Sequence, residues 1–544
     1  MSSPEIAEAP PNEAPATSYL SLHGLRAWLG STDHKHVALL HLASVAVVLL
    51  LGSAFALVLG LERLRPGADL LPATEYSRVL AAHGVVMVFL VVVPAIPATL
   101  GNFVLPLMLG AKNLAFPKLD RAGLWLYWLG SATALVGLVT AQQRSGWTFT
   151  EAYDAGASSG SVLWIMAGVL LVAASGLLGG LNVIVSIHTL RTRGLTWMRL
   201  PMLAWAAYAA SVIAIIAPAP LALDLILAAA ERTLHVGIFD PRLGGDPLLF
   251  QHLFWFYAHP TIFGSMLWAM GVGTELVGVH ARRRIFGYAV LAPLFIALAA
   301  LSFTQWGVHL LSAGTSVLAS SIFSMLALVA LVPVTLVLVN WLATLRGGSI
   351  AINAPMLFAL ALLVDVAVWL AASVALHSVG LGSYLRGTSF EVAHLHYGLA
   401  GVTLTAFLGG LFHWWPKLTG HEVDAKLSMG GAIGVFLALN LTFAGQFVTG
   451  MRGMPRGHAE HGTEFSVLNA LSAVGSWALV GSLLLIVVTL VSSLRKSGRA
   501  AANPWGGESL EWQTESPPPA DNFDVRPVVT RGPYDFARPA PSAT

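Results

Sequence analysis

From residue 37 to residue 60 the chain reads VALLHLASVAVVLLLGSAFALVLG, without one Asp, Glu, Lys or Arg. About 20 such residues in a helix cross a bilayer, and in lipid only a helix or a closed barrel satisfies the backbone. Eleven more long apolar stretches follow, at 79–109, 122–141, 162–187, 202–229, 248–279, 285–311, 317–345, 355–378, 390–415, 428–450 and 466–494, none with more than one charged residue. The pattern predicts an all-α, polytopic membrane protein with a bundle of twelve transmembrane helices. Composition agrees: 56% of the 544 residues are hydrophobic and 10% charged, against about 25% charged in soluble domains. Residues 31–494 form the membrane domain. Residues 1–30 and 495–544 read as polar tails, the second containing SPPPADNF (516–523), which reads as extended and structureless. The first thirty residues lack the basic-then-apolar start of a signal peptide.

Basic residues orient the spans. One set of loops carries Lys112, Lys118 and Arg121, then Arg191, Arg193 and Arg199, then Arg282, Arg283 and Arg284, then Lys417 and Lys426, with Arg495, Lys496 and Arg499 on the same side. The opposite loops hold Arg63, Arg65, Arg78, Arg232, Arg452 and Arg456. Both termini are expected in the cytoplasm and the chain in the cell membrane. The net charge of +2 gives no reason to expect nucleic acid as a partner.

There is no cysteine, which excludes disulfides, thiolate metal sites, iron–sulfur clusters and c-type haem attachment from this chain. Any metal must be held by histidine or carboxylate. Most of the 18 histidines lie in loops or at span ends, where a solvated or interfacial side chain accounts for them. His41, His252, His280, His377 and His413 lie within spans or near their ends and read as helix–helix hydrogen-bonding groups. Five others share a depth. With a cytoplasmic N-terminus, His83, His259, His309, His394 and His396 all fall in the outer half of the membrane, at 1.5 Å of rise per residue. His394 and His396 are two apart, so on a helix they project about 200° from each other and serve different centres. Haem iron accepts axial imidazole, and two haems flanking one helix account for the pair.

The segments STDHKH (31–36), AAHGVVMVF (81–89), GNFVLPLMLGAKNLAFP (101–117), DPLLFQHLFWFYAHP (246–260), VNWLATLRGG (339–348), VAHLHY (392–397), GMPR (453–456) and NPWGGESLEWQTESPPPADNF (503–523) occur in order. Over nearly its whole length the chain resembles subunit I of the haem–copper oxidases, nearest the cytochrome c oxidase branch. The resemblance implies that His83 and His396 bind a low-spin haem, His394 binds a high-spin haem, and His259 and His309 bind a copper ion facing it. Trp255 matches the aromatic residue beside that site, and Arg456 a propionate-holding arginine whose neighbour in the family's pair is here Gly457. It further implies a partner subunit II carrying a two-copper centre, a subunit III, and cytochrome c as electron donor.

Several positions depart from the family's pattern. The histidine before His309 is Val308, so copper occupancy is in question; two imidazoles can hold Cu(I) but hold Cu(II) poorly. The family's tyrosine and glutamate near His259 are Phe263 and Thr261, which supply neither phenol nor carboxyl. Val337 stands for a lysine, Asn113 for an acid, and Arg386 and Gly387 for a histidine and an aspartate. Glu391 stands one turn before His394, where the family has an apolar residue. The losses fall on copper binding, O–O cleavage and proton conduction, while the haem ligands persist. The expected function is therefore electron transfer from cytochrome c through a low-spin to a high-spin haem that reduces O2 or a related small molecule, with doubtful proton pumping. The alternatives are a non-catalytic two-haem paralogue acting in electron transfer, gas sensing or assembly, and a nitric oxide reductase-like subunit. The last needs a third imidazole and a carboxylate that Val308 and Thr261 do not provide.

Overall fold

The computed structural model describes residues 18–536 apart from 68–69, 142–145, 150–159, 312, 459 and 496–497. Part of the N-terminal tail, the last eight residues of the C-terminal tail and Lys496 lie outside the described residues.

Among the described residues, eleven helices are long and apolar enough to cross a membrane. In chain order these are α1 (His34–Glu62), α2 (Ala73–Leu109), α3 (Pro117–Thr140), α4 (Gly160–Thr189), α5 (Met202–Leu234), α6 (Pro247–His280), α8 (Val317–Leu345), α9 (Ala354–His377), α10 (Ser389–Thr419), α11 (Ala425–Met451) and α12 (Thr463–Ser493). The seventh of the twelve is α7, Tyr288–Ser302. The single apolar run at 285–311 is not one helix. Its 15 residues of α-helix rise only about 22 Å of the roughly 30 Å needed. A turn and the 3-10 helix Trp306–Leu310 follow. At about 2 Å per residue that segment supplies the missing length. Hydrophobicity cannot distinguish the two helix types, so the sequence alone merges them.

Local chemistry starts and stops these helices. Side chains of Asp33, Asp246, Ser316, Asn353, Thr388 and Asp424 each accept a backbone N–H at the first turn of α1, α6, α8, α9, α10 and α11, meeting donors that the helix leaves orphaned. Gly110 and Gly420 end α2 and α10 with φ of 67° and 75°, a backbone that a Cβ disfavours.

The bundle is built around α6, buried continuously from Phe263 to His280, and α10, buried continuously from Gly401 to Leu418. By contrast α8 presents Val317, Leu318, Met325, Val332 and Val339 outward, as a lipid-facing helix does. Two interior helices change register beside the predicted haem histidines. In α2, π-helical turns occupy Val86–Val92 and Ile96–Gly101, and in α10 Tyr397–Leu404. Pro94 and Pro97 lack the N–H of regular α-bonding. Single π-turns inside α-helices often mark functional sites.

The segment after α12 is not the structureless tail its composition indicates. Although residues 516–523 hold no regular element, Asn522 is wholly buried. Its amide donates to His34 Nε2 at 3.0 Å and Ala111 O at 2.8 Å, and its Oδ1 accepts from Lys35 Nζ at 2.7 Å. Lys417 Nζ reaches Ala502 O (2.9 Å), Thr514 O (2.7 Å) and Glu515 O (3.1 Å). Tyr534 donates to Glu275 at 2.6 Å. Residues 499–536 are a strap across the end of the bundle that carries the basic loops.

Candidate functional site

His83 stands in α2 just before the first π-turn, and His396 in α10 immediately before the third. Their ring centroids lie 6.3 Å apart with the planes 18° apart. An imidazole nitrogen binds a metal at about 2.0–2.1 Å and lies about 1.1 Å from its ring centre, so two rings on opposite sides of one ion have centres about 6.2 Å apart. Protonation is fixed by the partners. His83 Nδ1 lies 3.0 Å from Gly52 O and His396 Nδ1 2.8 Å from Val392 O. A carbonyl oxygen only accepts, so each Nδ1 carries the hydrogen and each Nε2 keeps a free lone pair. Phe443 stacks on the His396 ring at 4.3 Å and holds its plane. These two residues fit an axial pair for a haem.

The other predicted ligands are differently placed. His394 Nε2 lies 2.8 Å from Ser373 Oγ, and its ring lies at 5.6 Å and 19° from Trp369 and edge-on to His377 at 6.1 Å. His259 Nδ1 and His309 Nε2 are 2.9 Å apart, in hydrogen-bond contact with each other. Trp255 stacks flat on His309, centroids 3.6 Å and planes 6° apart. Val308 and Phe263 are buried; Phe263 lies 5.0 Å from the His259 ring. Thr261 spends its hydroxyl on Tyr257 O at 2.7 Å. Among the described residues no three His, Asp or Glu side chains are grouped to hold a metal ion. Donors for a copper ion number two here, and their facing nitrogens are already bonded together.

Arg456 donates to Glu391 at 2.8 Å, and Glu391 also accepts the Gly387 amide at 3.1 Å. Glu391 therefore ties two loops together and lies on Arg456. The bonding roles expected of His280 and His413 are seen: they join α6 to α10 at 3.0 Å. His377 has no such partner at Nδ1, which is buried and unpaired. Its place beside His394 was missed by sequence reasoning, as were Trp369 and Ser373. The available signal was the spacing 369, 373, 377, which puts all three on one face of α9. Asp120 was missed too. It is buried in α3 and lines, with Asn102, Tyr127 and Thr261, a cavity of about 130 Å³.

Two neighbouring imidazoles stand between register-shifted helices of a twelve-helix bundle, a polytopic membrane protein. Residues 36–482 match the family model described as "Cytochrome C and Quinol oxidase polypeptide I". The chain is 33% identical over 507 residues to "Cytochrome c oxidase subunit 1" of Thermostichus vulcanus, covering 93% of this chain and 92% of that one. It is 34% identical over 505 residues to the protein of the same name from Synechocystis sp., with 93% and 91% covered. A solved structure titled as a heme-copper terminal oxidase dimer superposes with a TM-score of 0.73 over 86% of this chain and 85% of that one, at 16% identity, and shows the shared fold. The chain belongs to the cytochrome c and quinol oxidase polypeptide I family, subunit I of the haem–copper oxidases. Membership makes it an integral membrane protein of the respiratory terminal-oxidase type, in a family whose cofactors are haem and copper and whose subunit I works with other oxidase subunits and cytochrome c.

Proposed function

We propose that this chain is an electron-transfer subunit of a respiratory oxidase-type complex in the cytoplasmic membrane, its termini on the cytoplasmic side. It takes electrons from a cytochrome c-type donor by way of a subunit II, beside a subunit III. The carrying observation is the His83–His396 pair. The Gly52 and Val392 carbonyls fix both tautomers, and the 6.3 Å ring separation suits a single six-coordinate iron. A haem bound there supplies one-electron oxidation and reduction. The residues around it hold the two imidazoles still, so little reorganises when the electron count changes.

Reduction of O2 at a haem and copper beside His394, His259 and His309 is the second reading, and family membership favours it. The replacements Val308, Phe263 and Thr261 weigh against it, because they remove a ligand, a phenol and a proton carrier. Proton pumping is accordingly not part of the proposal. The test is spectroscopic. Purified protein is expected to show a low-spin haem spectrum. His83→Ala and His396→Ala should each abolish it while the helical circular dichroism stays intact. Retention of that spectrum in both variants would refute the assignment.

A further inference from the structure

The strap and the loop between α4 and α5 are joined through their backbones. The Val529 N–H donates to Arg193 O at 2.9 Å, and Arg526 Nη2 donates to Leu190 O at 3.1 Å. Gly194, with φ of 82°, lies so close to Val529 O that a Cβ there would collide with it. These contacts frame a cavity of about 170 Å³, whose lining includes Met108, Leu195, Arg199, Glu508, Thr530 and Arg531. It lies where α2 ends and α5 begins, at the end of the bundle that carries the basic loops.

Neither arginine of the lining is spent on a carboxylate. Arg199 is positioned by its Nη1, which donates to Gly194 O at 3.2 Å and Val529 O at 3.4 Å. Carbonyl oxygens hold it without cancelling its charge. Among the described residues the Arg531 guanidinium and the Thr530 hydroxyl have no hydrogen-bond partner. Glu508 pairs with neither arginine; the ion pairs that hold the strap's carboxylates are Lys112–Asp521 at 2.7 Å and Arg284–Asp535 at 3.8 Å. Two guanidiniums and one carboxylate give the lining a net charge of +1. A guanidinium meets two phosphate oxygens with parallel N–H bonds. The volume limits what else can enter, because drug-sized ligands take about 300–1,000 Å³. The depth is that of lipid phosphates. Arg199 closes the 3-10 turn Trp197–Arg199, and Trp197 packs on Trp205 at 5.2 Å and on Tyr208 at 5.6 Å. Trp and Tyr gather at the headgroup level of a bilayer.

We propose that this cavity binds one phosphate group, held between Arg199 and Arg531 with a further bond from the Thr530 hydroxyl, and carried by a phospholipid headgroup or by free phosphate. A phosphodiester or a phosphate monoanion matches the net charge of the lining. The site shares no residue with the His83–His396 pair. The full-length chain, purified in detergent and washed free of lipid, is titrated in separate arms with inorganic phosphate and with dioctanoyl phosphatidylglycerol. Native mass spectrometry counts the molecules bound, and one per chain is expected at saturation. Arg531→Gln removes a guanidinium that no protein group uses. It should keep the parent's melting temperature and bind at least about tenfold more weakly, the worth of one charge-assisted bond. Arg495→Gln removes an exposed arginine at the same end of the bundle but outside the lining, and should bind as the parent does. Saturation by the lipid alone identifies a headgroup as the ligand. Saturation by inorganic phosphate, with or without the lipid, shows that the phosphate group suffices. The site is overturned if neither probe binds, if Arg531→Gln binds within twofold of the parent, or if Arg495→Gln weakens binding equally.

Discussion

Asn522 pins the C-terminal strap, and its removal has a calculable cost. Its side chain is fully buried. Its Oδ1 takes the Lys35 ammonium at 2.7 Å, and Lys35 is further held by Ala520 O at 3.0 Å and Asp33 at 3.1 Å. Its two amide hydrogens serve His34 Nε2 and the Ala111 and Lys112 carbonyls at 3.0, 2.8 and 3.2 Å. His34 Nδ1 lies 3.0 Å from Asn102 O, so that nitrogen donates and His34 Nε2 must receive. A charge-assisted bond contributes about 1.5–3 kcal/mol and two neutral ones about 1 kcal/mol each. Asn522 also has φ of 69°, a conformation costing alanine about 1–2 kcal/mol. Asn522→Ala therefore weakens strap docking by about 5 kcal/mol, capped by what docking itself is worth. In detergent micelles, limited proteolysis with mass-spectrometric mapping should show cleavage between 499 and 530 accelerated by at least about a hundredfold, since each 1.4 kcal/mol is about tenfold. Asn522→Gly should be the milder variant, because it lifts the φ penalty and loses the same bonds. If both variants cleave within twofold of the parent, the strap is not held by this residue and the reasoning fails.

Gly450 in α11 lies where a Cβ would fall on the backbone nitrogen of Phe390 and within 2.6 Å of its Cβ. Gly450→Ala should cost about 3 kcal/mol by overpacking and shift the start of α10, lowering both the melting temperature and the haem retained at His396; an unchanged melting temperature would contradict that contact. Glu511, buried in the strap, has its carboxyl pushed up to about 7 by burial, against the opposing pull of Ser509 and Lys417. A raised carboxyl pKa means that the folded state binds the extra proton, so this stability is complete below the ordinary value near 4.3 and is lost as pH rises through about 7. Glu511→Gln should remove up to about 3 kcal/mol of that loss, so its melting temperature relative to the parent rises between pH 5 and pH 8. Parallel curves for the two proteins would sink the assignment.

The membrane bundle was legible because each crossing announces itself as a long apolar run with at most one carboxylate, such as Asp224, Glu275, Asp365 or Glu391; a buried helix and a lipid-facing one need the same residues. The break in α7 was not, since Phe303 to Leu311 is as apolar in a 3-10 turn as in an α-helix. The strap was misread for the opposite reason. Its proline, serine and acidic residues resemble a solvated tail, and its partners, Lys35, His34 and Lys417, are far away in sequence. That His83 and His396 lie together, their rings 6.3 Å apart, was legible from depth and from the family's motifs. The surroundings of His394 were not, because Trp369, Ser373 and His377 read as unremarkable positions of one more apolar span.

Residue type alone gives a histidine's capacity to bind a metal, but its second partner decides whether the capacity is available. His83, His396 and His394 have comparable positions in the bundle and different partners. Two face a carbonyl, which can only accept and so leaves Nε2 bare. The third, His394, faces the Ser373 hydroxyl, which lies within reach of the Trp369 carbonyl as well and rotates to donate to either, so both His394 tautomers are open to it. The substitutions Val308, Phe263 and Thr261 lie on α6 and the segment after α7, while Trp369, Ser373 and His377 lie on α9. Independent elements thus alter the same region in the same direction, some by withdrawing donors and others by engaging what remains.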